Sequence, residues 1–196
     1  LPTNTAVLQL WRRGYYGINR ANAVLLNANP EASARSKEYV AEARFLRAMS
    51  YWHAIDLFGN VPFVTEDDPP GAFFPEQISR AELFNYVEDE LLELENLLVD
   101  PGTNEYGRVD KAAAWTLLAK LYLNASVYTG TDMNTECLTY CNKVTTSGYS
   151  LHPEFAELFM ADNDQADGII FPVTFDGTHT RTWGGMTTLI HAAVGG

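Results

Sequence analysis

The sequence predicts a mainly α-helical fold of stacked helical hairpins, with a small irregular portion at the C-terminal end. Apolar residues recur at helical spacing in five segments of the 196-residue chain. Most of these segments begin at a capping residue or end at a glycine or proline, as helices do. After position 148 the helical pattern gives way to a stretch rich in loop-forming residues and aromatics.

The first two predicted helices are the longest. The first covers 5–27 and ends before Pro30, and the second begins near Glu31 and runs to Phe58. Gly59 and then Pro62 follow, which is the usual arrangement at the end of a helix. Arg44, Arg47 and Asp56 on the second helix are predicted to hold neighbouring helices in register. A loop rich in proline, glycine and acidic residues covers 65–78.

Three shorter helices are predicted next. The S-R-A-E segment at 79–82 is a capping box and starts a third helix to about position 99, whose acidic face is predicted to be solvated. Asp110 caps a fourth helix to 125, and a fifth covers 134–146. The fourth carries W-x-x-L-A-x-x-Y, which is typical of a tetratricopeptide helix pair. We therefore expect the fourth and fifth helices to form an antiparallel hairpin, and Trp11, Trp52 and Trp115 to belong to the core.

The C-terminal stretch has a different character. We expect a short helix at 155–160, an acidic turn at 162–167 and a strand at 169–175, which Pro172 restricts to a sheet edge or bulge. The remainder is a loop of glycine, threonine and histidine around Trp183. The chain is thus predicted to be part of one domain, 1–196, with a helical portion at 1–148 and a loop and strand portion at 149–196.

Composition narrows the classes of function. The net charge of −12 argues against binding to nucleic acid, which requires a basic surface. The apolar runs are too short and too often interrupted by charge to span a membrane. Cys137 and Cys141 are predicted to be two separate reduced thiols, because side chains from one helix rarely reach disulfide geometry.

Several blocks together resemble the RagB/SusD family. E-A-R-F-L-R-A at 42–48 and D-L-F-G-N-V-P at 56–62 match the most recognisable segment of these proteins, and Y-G-R-V-D-K-A-A at 106–113 and L-Y-L-N-A at 121–125 match a second. E-L-F-M-A-D-N-D at 157–164 and T-R-T-W-G-G at 180–185 look like the region just before the glycan site of the family's starch-binding member. The blocks occur in order and with similar spacing over nearly the whole chain.

The resemblance implies a binding protein that is not an enzyme and needs no cofactor. It implies a surface-exposed, lipid-anchored lipoprotein of the outer membrane, with the anchor outside this chain, which would be the central part of a longer protein. Such a protein captures an oligosaccharide and delivers it to a SusC-like TonB-dependent transporter. Similarity around Trp183 to the starch-binding member favours starch or another α-glucan.

Trp183 is the candidate carbohydrate-binding residue. In a loop of small residues its indole has little surface to pack against, and the C–H face of a pyranose stacks well on such a ring. The resemblance places an aromatic of the family's glucan-stacking arc at this position. The alternative is a loop anchor that packs on the fifth helix.

Asp162 and Asp164 are candidate calcium ligands, because they combine with Asp167 in one turn to present hard oxygen donors. The turn lacks the glycine and the terminal glutamate of an EF-hand loop, so a solvated turn is the alternative.

Two other functions stay open from the sequence. A tetratricopeptide-like adaptor would bind a protein partner through its helices. A glycoside hydrolase would need two carboxylates about 5 Å or about 6.5–9.5 Å apart across the sugar. The acidic residues here lie mostly on predicted helix faces or in loops, and no pair stands out.

Overall fold

The structure is a computed structural model that describes residues 4–69, 71 and 74–180. It is mainly helical, as predicted. The described residues form six α-helices: α1 Thr5–Asn27, α2 Ala34–Phe58, α3 Arg80–Leu94, α4 Lys111–Leu123, α5 Ala125–Thr129 and α6 Asn134–Thr145. None of the described helices has the length and apolar character needed to cross a membrane.

Local capping explains where these helices begin. The Asn4 side chain accepts hydrogen bonds from the first turn of α1, and Ser33 does the same for α2. Both halves of the predicted Ser79–Glu82 capping box are present at α3. Asp110 caps α4 by accepting from the Ala113 backbone N–H at 3.0 Å. The caps at Ser79 and Asp110 were predicted from the sequence. The second helix was expected to begin near Glu31, but Pro30–Ala32 forms a separate 3-10 turn and α2 begins at Ala34.

The helices pack in chain order. The α1 helix packs on α2, α2 on α3, α3 on α4 and α5, and α4 on α6. Trp115, near the start of α4, lies beside Lys143 in the last turn of α6, with the ammonium nitrogen 5.6 Å from the ring centroid. The two helices therefore run antiparallel, which confirms the predicted hairpin.

The core lies among α1, α2, α3 and α4. Its largest fully buried side chains are Tyr51, Phe45, Phe84, Ile18, Ile55, Leu83, Leu91, Leu94, Leu118 and Leu121. The Tyr51 hydroxyl donates to the Val64 carbonyl at 2.7 Å and accepts from the Val64 N–H at 2.8 Å. Trp11, Trp52 and Trp115 pack against this core but are only half-buried, because each lies at the border of its helix's apolar stripe.

The acidic face of α3 is only partly solvated, so that prediction was wrong for two residues. Glu90 accepts from the Arg44 Nη2 at 2.7 Å. Glu95 accepts from the Trp115 Nε1 at 2.9 Å, from the Lys143 Nζ at 2.6 Å and from the Tyr140 hydroxyl. These contacts come from residues 20 or more positions away, and helical spacing alone cannot show them.

The second helix carries the structural ion pairs that its sequence predicts. The Arg47 guanidinium is buried, donates to the Asn22 side chain at 3.0 Å and pairs with Glu66. At the other end of α2, Asp56 accepts from the Tyr128 hydroxyl at 2.8 Å. Both cysteines are free, with Cys137 buried and Cys141 exposed.

The predicted strand at 169–175 was wrong. Among the described residues the one sheet is two-stranded and antiparallel, with β1 Val61–Pro62 paired to β2 Gln77–Ile78. Within the described part of the chain the 169–175 segment has no neighbouring strand that could satisfy its backbone, and Pro172 has no N–H to donate. It is held instead by a side chain, since Phe171 packs edge-on against Phe45 with ring centroids 5.5 Å apart.

Several predicted element ends also shift. The α3 helix ends at Leu94 rather than near 99, because hydrogen bonds to the carbonyls three residues back tighten its last turn. The fourth predicted helix divides at Asn124 into α4 and α5. The segments predicted as a short helix and an acidic turn contain the 3-10 turns Phe155–Phe159 and Asn163–Gln165.

Candidate functional site

Three of the contacts that attach the 149–180 segment to the helical portion involve Tyr149, Phe171 and Thr174. The Tyr149 hydroxyl donates to Asp110 Oδ2 at 2.6 Å, and burial together with this carboxylate raises the pKa of Tyr149. The phenol therefore stays a hydrogen-bond donor. Phe171 packs on Phe45, as described above. The third contact brings Thr174 against Gly107.

Gly107 is required at that third contact for two reasons. Its φ of +84° lies in the left-handed region that favours glycine. A Cβ at this position would also lie 2.8 Å from the Thr174 Cγ2, which is closer than side chains pack. The loop at 104–108 and the segment at 172–176 therefore lie directly side by side.

A cleft of about 640 Å³ opens where these two segments meet. This volume lies within the range of small-molecule sites, about 300–1,000 Å³. Two aromatic rings, Tyr106 and Phe175, line it, and each residue is 52% exposed. Asn163, Asp164 and Asp176 supply polar groups at the same cleft. The arrangement combines flat apolar faces with hydrogen-bonding groups in a site open to solvent.

The two carboxylates of the cleft differ in the number of described hydrogen bonds that they accept. Asp176 Oδ1 accepts from the backbone N–H groups of Thr178, His179 and Thr180 at 2.7–2.9 Å, and Oδ2 contacts His179 Nδ1 at 2.6 Å. The backbone hydrogen bond from Thr180 and then the His179 contact hold the pKa of Asp176 well below its ordinary value. Asp176 is thus a fixed negative charge that orders the turn at 176–180.

Asp164 accepts fewer described hydrogen bonds than Asp176. Its carboxylate is exposed, and its described hydrogen bond comes from the neighbouring Gln165 Nε2 at 2.6 Å. An exposed carboxylate of this kind can accept hydrogen bonds from a ligand. Asn163 beside it donates from its side chain to the Leu158 carbonyl at 3.0 Å, which leaves its amide oxygen to accept.

The calcium prediction concerns this same turn. Asp162 and Asp164 are both exposed; Asp162 directly precedes the 3-10 turn Asn163–Gln165, and Asp164 lies within it. Among the described residues no group of three or more histidine, cysteine, aspartate or glutamate side chains could hold a metal ion. Calcium usually takes 6–8 oxygen ligands, so two carboxylates need carbonyls, waters or other residues to complete a site. The calcium site stays a prediction.

Trp183 lies outside the described residues, and its role as a carbohydrate-binding residue stays a prediction. In the sequence Trp183 lies three positions after Thr180, the last residue of the turn at 176–180. The division of the chain at 148/149 also stays a prediction, although the two portions differ visibly in burial.

Sequence analysis missed Tyr106 and Phe175 as site residues. Tyr106 was taken only as part of a family-like block, and Phe175 as part of a strand. One signal was available for both, because each aromatic stands among polar or loop-forming residues, outside any helical periodicity. That signal cannot show that residues 69 positions apart line one cleft.

A second apolar surface lies on the same segment. Phe155 and Phe159 stack edge-on with centroids 5.2 Å apart, and they are 73% and 72% exposed. Behind them the His152 Nδ1 accepts from the Asp167 backbone N–H at 3.1 Å, and its Nε2 contacts Glu157 at 2.6 Å. The imidazole therefore links the two ends of this turn region.

Comparison with known proteins adds three findings. Residues 2–123 match a family model described as "SusD-like_3: Starch-binding associating with outer membrane". The starch-binding protein SusD of Bacteroides thetaiotaomicron is 40% identical over 193 residues, which are 96% of this chain and 34% of that protein. The chain thus spans about a third of the length of this relative.

Two solved structures have the same fold. Surface glycan-binding protein A from Bacteroides uniformis superposes with a TM-score of 0.71 at 26% identity, over 85% of this chain and 38% of that one. A SusD-like carbohydrate-binding protein from Bacteroides fragilis superposes with a TM-score of 0.75, over 88% of this chain and 34% of that one. At 22% identity the second likeness concerns the fold alone.

Proposed function

We propose, from the premise that this chain belongs to the SusD-like family, that the protein binds an oligosaccharide at the bacterial cell surface. The observation that carries the proposal is the open cleft at 104–108 and 161–176, in which exposed aromatic rings stand beside hydrogen-bond acceptors. Sugars present apolar C–H faces and a rim of hydroxyls, and this lining suits both.

More than one stacking residue is needed for useful affinity. Covering one indole face buries roughly 80 Å² of apolar surface, worth about 2 kcal/mol at about 25 cal/mol per Å². A millimolar dissociation constant already requires about 4 kcal/mol. Trp183 therefore acts as one contact of a larger site, to which other parts of the full-length protein contribute.

Starch or another α-glucan is the proposed ligand, because the 40% identical relative is named as a starch-binding protein. The description of the matching family supports an outer-membrane location. As part of the same proposal, a lipid anchor outside this chain holds the protein at the surface, and the protein hands its ligand to a SusC-like TonB-dependent transporter without breaking a bond. Calcium at Asp162 and Asp164 is a possible stabiliser of the turn in this proposal.

Isothermal titration of the full-length protein with a long maltooligosaccharide tests the proposal. Trp183→Ala is expected to weaken binding by about 1–3 kcal/mol, the range for losing one stacking contact. The isolated 196-residue chain is expected to bind close to undetectably. Tyr16→Ala, an exposed aromatic on α1, is the matched control and should leave affinity unchanged.

Other outcomes identify the alternatives. Unchanged affinity in the Trp183→Ala protein would contradict its assignment as a binding residue. Release of reducing sugar during the titration would indicate a glycoside hydrolase. Failure to bind any glycan, together with capture of a protein partner through the helices, would indicate an adaptor.

A further inference from the structure

We infer that the cleft between the 104–108 loop and the 161–176 segment is a subsite for an uncharged sugar, with Tyr106 and Phe175 as its stacking faces. This inference rests on the proposed function and deepens it. It names two binding residues that neither the sequence motifs nor the family resemblance identify, and it argues from the charges around the cleft that the sugar bound there is uncharged.

The first argument is the charge of the segment that forms one side of the cleft. Residues 149–180 contain no lysine or arginine. They contain six acidic residues: Glu154, Glu157, Asp162, Asp164, Asp167 and Asp176. Two of these, Asp164 and Asp176, line the cleft itself. Like charges that face each other across a small distance disfavour binding, so a sulfate or carboxylate on the sugar would be repelled.

The second argument concerns the side of the cleft that carries Tyr106. The described arginines near it in sequence or through an ion pair, Arg108 and Arg35, are already paired with glutamates. The Arg108 guanidinium, two residues from Tyr106, donates to Glu42 from Nε at 3.0 Å and from Nη2 at 2.7 Å. Arg35 pairs with Glu105, the residue before Tyr106. The Arg108 pairing uses two nitrogens of the guanidinium, whereas Arg35 reaches Glu105 through its Nη2 alone. An anionic sugar would have to compete with these glutamates for its counter-charge.

The third argument is what the cleft offers to a neutral sugar. Tyr106 and Phe175 line the cleft and are each 52% exposed, so their rings are accessible to a sugar face. Among the described residues Asp164 accepts one hydrogen bond, from Gln165, and can accept more from hydroxyl donors, whereas Asp176 is committed to its own turn. A carboxylate acceptor suits hydroxyl groups and is the wrong partner for another anion.

Arg181 is the cation that could act against this inference. It is the single lysine or arginine in 149–196, and it lies outside the described residues. Residues 149–196 thus contain one arginine and six acidic residues. The test therefore includes the Arg181→Gln variant as well as the residues of the cleft.

The experiment uses the full-length protein and matched pairs of glycans. Maltoheptaose and laminarihexaose are titrated beside chemically sulfated forms of the same oligosaccharides, at low and at moderate salt. The neutral forms should bind at least about tenfold more tightly than the sulfated forms. Tyr106→Ala and Phe175→Ala should each weaken neutral binding by about tenfold, as expected for loss of one stacking face. Circular dichroism confirms that each variant is folded.

A charge variant separates electrostatics from stacking. Asp164→Lys should tighten binding of the sulfated glycan by about tenfold and weaken binding of the neutral one. Asp132→Lys makes the same change of charge in the exposed loop before α6, at the end of that helix opposite Tyr149. That control should leave both affinities unchanged.

Three results would overturn the inference. One is that the wild-type protein binds the sulfated glycan as tightly as the neutral one or more tightly. Loss of that binding in the Arg181→Gln protein would then assign it to Arg181. Another is loss of neutral binding in Trp183→Ala with no change in Tyr106→Ala or Phe175→Ala, in which case the proposed function stands and this subsite fails. Binding of neither form of either glycan would overturn the inference together with the proposed function.

Discussion

The helical portion at 4–148 and the segment at 149–180 differ most in burial. Every buried residue of the described chain lies in the helical portion, and none lies in 149–180. Leu118 on α4 is fully buried, whereas Leu151 is 94% exposed. The helical portion therefore has a core that can stabilise it by itself, and the later segment depends on a few points of attachment.

Hydrogen bonding shows the same difference. In the helical portion the side chains of Arg47, Glu95 and Arg108 bond to residues 19 or more positions away. Within 149–180 the described side-chain hydrogen bonds span 15 positions or fewer, apart from the one between Tyr149 and Asp110. Ligand-binding surfaces are commonly placed on loops that a rigid scaffold positions, and this molecule has that division.

The largest expected effect is in the helical portion. Trp115→Ala should lower the free energy of unfolding by about 3 kcal/mol, at the low end for a large aromatic because the ring is half-buried. It also removes the donor of the 2.9 Å hydrogen bond to Glu95. Urea denaturation followed by circular dichroism measures the loss.

The matched control for that substitution is Phe155→Ala in the later segment. This ring is 73% exposed, so its removal should change stability by no more than about 0.5 kcal/mol. Trp183→Ala is likewise expected to cost far less than Trp115→Ala. If Trp115→Ala and Phe155→Ala lowered the free energy of unfolding equally, the proposed difference in burial between the two portions would be contradicted.

The next effect concerns acid stability. Burial raises the pKa of Glu95, but hydrogen bonds from Lys143, Tyr140 and Trp115 outweigh it and hold the pKa below its ordinary value of 4.5. A carboxylate with a lowered pKa in the folded state adds stability above its unfolded pKa. That stability is lost as the pH falls through the lowered value.

Glu95→Gln should therefore cost about 1–2 kcal/mol at pH 7. Its difference from the wild-type protein should shrink as the pH falls below 4.5. Denaturant melts at a series of pH values measure this difference. Asp89→Asn, an exposed neighbour on α3, should show no such trend. A constant difference between Glu95→Gln and wild type at all pH values would contradict the assigned role of the carboxylate.

The smallest effect on global stability is expected at the attachment of the later segment. Phe171→Ala removes the edge-on contact with Phe45 and should cost about 1 kcal/mol, within the usual range for an aromatic pair. Its larger consequence should be local, with faster proteolysis within 149–180 under conditions where the helices stay intact. Val173→Ala, at an exposed position, is the control, and equal proteolysis rates would count against this anchor.

Much of the fold could be predicted because its signals are short-range. The capping box at Ser79 and the Asp110 cap each act within three residues, and the ends of α1 and α2 follow from Pro30 and Gly59. The pattern W-x-x-L-A-x-x-Y predicted the α4 and α6 hairpin. The strand at 169–175 failed, because a strand requires a neighbouring backbone and local sequence does not show whether one is present.

By itself the sequence determined the longer helices, the caps at Ser79 and Asp110, the pairing of α4 with α6 and, through its ordered motifs, membership of the SusD-like family. Only the tertiary structure decided that Glu95 joins α3 to α4 and α6, and that Tyr106 and Phe175 line one cleft. The physical reason is how far apart along the chain the interacting residues lie. Backbone hydrogen bonds and caps form between neighbours along the chain, whereas contacts between residues 20 or 69 positions apart depend on how the whole chain packs.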